Sequence, residues 1–65
     1  MSTYEVRQTH MAAKRYGSKT LSVHDSYADA LAAFDLEAWS SRQAIFLVKI
    51  KHDGTEVVMA MQPAD

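Results

Sequence analysis

The sequence predicts a small α+β domain, with four mostly antiparallel strands in one sheet and one helix packed on one face. The elements run strand, strand, helix, strand, strand. Three observations carry this. Short alternating apolar segments lie on either side of Gly17-Ser18, an alanine-rich stretch of helical spacing follows Ser26, and two apolar runs flank Asp53-Gly54.

The first strand is Tyr4-Glu5-Val6-Arg7-Gln8, with Tyr4 and Val6 on one side and Glu5 and Arg7 on the other. The pattern loosens from Met11 to Gly17, and Gly17-Ser18 reads as a turn or breaker. Alternation resumes from Lys19 to His24, where Leu21 and Val23 face one way. These segments form a first hairpin with a broad, basic connection. Residues 11–17 are open between strand, turn and short helix, with 11–15 the place for a helical turn.

Ser26 starts the helix as its N-cap, and Asp29 three residues on makes a near relative of the capping box. Asp25 and Asp29 suit the positive end of the helix dipole. Alanines 28, 30, 32, 33 and 38 supply helix propensity as far as about Ser40. Tyr27, Ala30, Leu31, Phe34 and Ala38 make one apolar stripe. Ala28, Ala32, Leu36 and Trp39 make a second on an adjoining flank, with Asp35 between the two. Asp29, Ala33, Glu37 and Ser40 point to water.

Asp53-Gly54 predicts a two-residue type I′ hairpin turn. That turn sets His52 opposite Thr55, Lys51 opposite Glu56, Ile50 opposite Val57, Val48 opposite Met59 and Phe46 opposite Met61. One face then carries three apolar pairs, and a one-residue slip would scatter them over both faces.

One helix can cover only one face of such a sheet. The expected core is Tyr4, Val6, Leu21, Val23, Leu31, Phe34, Phe46, Val48, Ile50, Val57, Met59 and Met61. Ile45, Leu47, Val58 and Ala60 are left on the uncovered face, and Leu36 and Trp39 stand at the helix flank. Single exposed apolar residues are ordinary, whereas a contiguous patch marks an interaction surface.

Sixty-five residues make one domain, 1–65. A core this small rarely supplies more than ~3–5 kcal/mol, so association is an expected source of further stability. Cysteine is absent, which removes disulfides and thiolate chemistry and fits a reducing compartment. No apolar run approaches the length of a membrane span and the polar N-terminus lacks a signal-peptide core, so a cytoplasmic domain is expected. The net charge of −1 hides an asymmetry. Residues 1–20 carry +3, residues 21–40 carry −4 without a single Lys or Arg, and residues 41–65 balance.

Catalytic patterns are missing. His10, His24 and His52 match no metal-ligand spacing and read as surface or loop histidines. No Gly-x-Ser-x-Gly elbow and no phosphate-cradling glycine loop occurs. No catalytic residue, cofactor or metal is therefore expected. Lys14, Arg15, Tyr16 and Lys19, extended by Lys49 and Lys51, could clamp a nucleic-acid backbone, the bland reading being a solvated basic loop. The acids Asp29, Asp35 and Glu37 could engage a basic protein surface or imitate phosphates, against the plain reading of a solvated helix face. Trp39 belongs to a residue type enriched at interface hot spots, although it could instead wrap the helix end onto the sheet.

The expectation is a non-enzymatic module that binds a protein partner or a second copy through a flat surface. Its residues would be Leu36, Trp39, Ile45, Leu47 and Val58, rimmed by Asp29, Asp35 and Glu37. Phage and mobile-element inhibitors of host defence machines, anti-CRISPR proteins among them, are often domains of this size and kind. The alternatives are a nucleic-acid-binding accessory protein using the basic 10–19 segment, and a dimeric structural protein of a bacterial operon.

Overall fold

The computed structural model describes residues 2–12 and 15–64, with the backbone alone described at residues 10–12 and 15–16. The elements are β1 (Thr3–Ala12), β2 (Arg15–His24), α1 (Tyr27–Ser40), β3 (Ile45–Ile50) and β4 (Glu56–Gln62). They form one sheet in the order β2-β1-β3-β4, every neighbouring pair antiparallel, with α1 against one face. The expected α+β architecture and element order are those of the protein.

The first hairpin is longer than its alternation implies. β1 continues to Ala12, and β2 begins at Arg15 and runs straight through Gly17-Ser18, so that pair is strand and not a turn. Cross-strand pairing with β1 overrides the weak local preference of Gly and Ser. Residues 13 and 14, where the connection falls, lie outside the described residues. A bulge interrupts β2 opposite Val6/Arg7, with Val6 paired to Ser22 and Arg7 to Thr20. Leu21, the extra residue, packs against the core.

Helix α1 starts as its sequence dictates. The Ser26 side chain accepts the Asp29 N–H at 3.2 Å. At the other end, the Ser41 N–H donates to the Glu37 carbonyl at 2.9 Å. Ala30 and Phe34 are buried, and Leu31, Ala33 and Ala38 pack against the core. Ala33 therefore does not point to water, and Glu37 is half-buried. Tyr27 stays partly exposed but meets Tyr4 edge to face, ring centres 5.7 Å apart.

The second hairpin departs from its expected turn. The Lys51 N–H donates to the Thr55 carbonyl, and the Gly54 N–H donates to the Lys51 carbonyl, both at 2.9 Å. The loop is thus the three residues His52, Asp53 and Gly54, with Gly54 at φ +89°. This is the type I turn followed by a left-handed residue that three-residue loops favour. Asp53 Oδ1 accepts the Thr55 N–H at 2.9 Å. The longer loop shifts the nearby register, so Ile50 faces Glu56, Lys49 faces Val57 and Val48 faces Val58. A bulge between Leu47 and Val48 absorbs Met59 and restores the expected pair Phe46–Met61, with Leu47 paired to Ala60 beside it.

The covered face is the reverse of the one expected for β3 and for β4 beyond its bulge. Strand β1 can bury only its Tyr4/Val6 side, because its other side carries Glu5 and Arg7. The β1–β3 register sets Val6 beside Leu47 and Gln8 beside Ile45, so Leu47 and Ile45 go under the helix. Both are fully buried, together with Val6, and Ala60 packs beside them. Phe46, Ile50 and Met61 fall on the open face instead, and so does Val23, paired to Glu5, whereas Val58 is on the open face as expected. Val23, Val58, Met59 and Met61 are exposed, Phe46, Ile50 and Val57 are half-buried, and only Val48 of that group is buried.

Candidate interaction surfaces

The solvent side of α1 is built by helical spacing. With Ala30 and Phe34 turned inward, Ala28, Ala32, Asp35, Leu36 and Trp39 come round to the outside. Leu36 is 67% exposed and Trp39 87%. The two are three residues apart and so adjacent on the helix surface. Their support is firm. The Ser40 hydroxyl donates to the Leu36 carbonyl at 3.2 Å, and Gln8 Nε2 donates to Ser41 Oγ at 2.9 Å, tying the helix end to β1. Asp35 is exposed next to Leu36, Asp25 and Asp29 are exposed at the N-terminal end of the helix, and Arg42, also exposed, follows three residues after Trp39.

The residues expected at a partner surface therefore divide. Leu36, Trp39, Val58, Asp29 and Asp35 reach solvent, and Glu37 does so in part. Ile45 and Leu47 do not: both are sealed in the core by the β1–β3 register, and they are withdrawn as surface residues. Val58 is on the sheet face opposite α1, so it shares no surface with Leu36 and Trp39.

Of the basic set, the side chains of Lys19, Lys49 and Lys51 are described. Lys14 lies outside the described residues, as do the side chains of Arg15 and Tyr16. Lys19 is exposed and paired to Gln8. Lys49 is half-buried beside Tyr4, and Lys51 is exposed at the β3–β4 loop. That loop joins the sheet at the Thr3 end of β1.

A network that the sequence did not reveal crosses the open face. Arg7 donates both terminal guanidinium nitrogens to Glu56, at 3.0 and 2.9 Å, and its Nε to Glu5 at 2.9 Å. Thr20 donates to the same Glu5 oxygen at 3.1 Å. Arg7 is registered beside Phe46 and Glu56 beside Ile50, so their bridge passes over Val48 between them. This explains why Val48 is buried on a face without a helix. The guanidinium holds the Glu56 carboxyl below its ordinary range by hydrogen bonding and charge, and the two acids push Arg7 further above its own. Forty-nine residues separate Arg7 from Glu56, so only the strand order could have disclosed the pair.

Little else suggests chemistry. His24 Nε2 and Ser22 Oγ lie 2.9 Å apart on one strand. Among the described residues no three His, Cys, Asp or Glu could hold a metal ion, and none line a pocket. No described helix is long and apolar enough to cross a membrane. Comparison with protein-family models, with curated proteins and with solved structures finds no match.

Proposed function

We propose that this chain is a non-enzymatic protein-binding module that docks through the outer face of α1. The observation that carries the reading is Trp39, 87% exposed beside Leu36 on a capped and anchored helix end. A rigid aromatic held out in water costs little ordering on binding and can fill a partner's pocket. The surrounding carboxylates favour a partner whose pocket is rimmed by Lys and Arg, and they add speed and selectivity to the encounter more than affinity.

Proteins that handle nucleic acids carry such basic surfaces. The finer form of the proposal is therefore an inhibitor that occupies the nucleic-acid-handling surface of a host defence machine, as anti-CRISPR proteins do. A chain without cysteine suits a reducing compartment, and the cytoplasm is the setting the proposal assumes.

Affinity capture from a bacterial lysate tests it. The wild-type chain is expected to retain a specific protein, and Trp39→Ala or Leu36→Glu to release it with an unchanged far-ultraviolet circular dichroism spectrum. A hot-spot tryptophan is worth at least ~2 kcal/mol, or about 30-fold in Kd. Retention of the same protein by both variants overturns the reading, as does capture of RNA or DNA alone.

A further inference from the structure

We infer that Asp53-Gly54 is a site of spontaneous main-chain modification, which the folded β3–β4 loop holds shut and the unfolded chain opens. The reaction is an intramolecular acyl transfer. The Gly54 nitrogen attacks Cγ of Asp53, and the amide proton leaves with the carboxyl hydroxyl as water. A cyclic succinimide closes on Asp53. Water then breaks the ring at the Asp53 main-chain carbonyl, so that the chain runs to Gly54 through the side chain as isoaspartate. No oxidant, metal or second protein takes part. Glycine is the residue that permits the attack, because no Cβ shields its nitrogen. Asp53 and Gly54 are both exposed, so burial is not what protects them.

Hydrogen bonds hold the two reacting groups apart. The Gly54 N–H donates to the Lys51 carbonyl at 2.9 Å, which ties the attacking nitrogen by its own proton. Asp53 Oδ1 accepts the Thr55 N–H at 2.9 Å, which turns the carboxyl to the amide beyond Gly54. The Lys51 N–H donates to the Thr55 carbonyl at 2.9 Å and closes the loop around both groups. The bond from Thr55 also keeps the Asp53 carboxyl below its ordinary range. A carboxylate resists attack, because its oxygen is a far poorer leaving group than the hydroxyl of the neutral acid. The unfolded chain keeps none of these bonds and samples the geometry of attack. The product carries an extra main-chain carbon inside the loop. The pairs Ile50–Glu56 and Lys49–Val57 take their register from that loop, so the altered chain refolds with a weaker hairpin. A molecule left unfolded is thus marked by its own chemistry and does not regain full stability.

Incubation of the full chain at neutral pH, with and without guanidinium chloride, tests this. Peptide mapping by liquid chromatography and mass spectrometry separates isoaspartate, of unchanged mass, from the succinimide, lighter by one water. Conversion at Asp53 should be at least ~10-fold slower in the folded chain, because even local opening exposes the site only a small part of the time. Leu47→Ala alters the buried core and leaves the loop sequence intact. It should approach the rate in denaturant as its unfolded population grows, and should match that rate if it does not fold. Asp53→Glu, whose longer side chain closes a ring far more slowly, should remove the product and so assign it. Equal rates with and without denaturant overturn the inference, and so does the absence of product in both. A Leu47→Ala chain that circular dichroism shows unfolded, yet converts as slowly as the wild type, overturns it too. The isoaspartate chain, purified and returned to buffer, should unfold at a lower urea midpoint than the wild type, and an unchanged midpoint overturns its marking as a weaker hairpin.

Discussion

Leu36 and Leu47 are the same residue with opposite fates. Leu47 is fully buried between Val6 and Ala60, and Leu36 is 67% exposed on α1. Removing buried methyl groups costs their transfer free energy plus the cavity left behind, about 2–5 kcal/mol for Leu→Ala. A surface change stays within ~0.5 kcal/mol. Leu47→Ala should thus remove most of the ~3–5 kcal/mol that a chain of this size commands, and Leu36→Ala almost none. Urea unfolding followed by circular dichroism reads both, and equal midpoints for the two variants would refute this placement of the core. The sequence does not separate these leucines. Strand β3 reads Ile-Phe-Leu-Val-Lys-Ile, apolar at five of six positions, so alternation along it leaves the buried side undecided. The deciding information is on β1, where Glu5 and Arg7 are charged and Tyr4 and Val6 are not. It reaches β3 only through the pairing of Val6 with Leu47.

At the scale of the element, helix α1 was the most legible part. Its start at Ser26 and its end near Ser40 follow from capping chemistry and alanine content, which are local. The β3–β4 hairpin was legible in place but not in detail. Asp53-Gly54 marks the turn, yet a two-residue and a three-residue loop can both use that dipeptide, and they differ by one step of register. The bulge at Met59 then cancels the step and leaves no local trace in the sequence. The same reasoning assigns a cost to Gly54. Its φ of +89° is one that L-residues resist, while a Cβ added there would meet nothing within 4 Å. Gly54→Ala should therefore cost only the backbone penalty, about 1–2 kcal/mol, and Gly54→Asn less. In a domain this small each kcal/mol lowers Tm by ~4–8 °C. Calorimetry of the two variants checks the order, and an alanine variant as stable as the wild type would refute the three-residue loop.

For the whole molecule, strand order matters more than any single element, and strand order was not legible. Placing β1 between β2 and β3 lets one arginine reach acids on β1 and β4 and lets Thr20 of β2 join them. The network spans the full width of the sheet, so its titration should appear in global stability. Arg7 holds the folded-state carboxyl of Glu56 below its ordinary value of 4.5. The unfolded chain then takes up that proton at a higher pH than the folded one. The pair's contribution is complete above pH 4.5, shrinks as pH falls below it, and is gone once the folded carboxyl is protonated. Glu56→Gln should accordingly lower the urea midpoint at neutral pH, with the gap to wild type closing in acid. Asp53 is depressed by the Thr55 N–H and has the same sign, but it is present in both proteins and cancels from the difference. Added salt should narrow the gap at neutral pH, because more than half of the Glu56 side chain is in water. A gap of constant size from neutral to acid pH would show that the Arg7–Glu56 bridge does not form in solution, and Val48 would lose its cover.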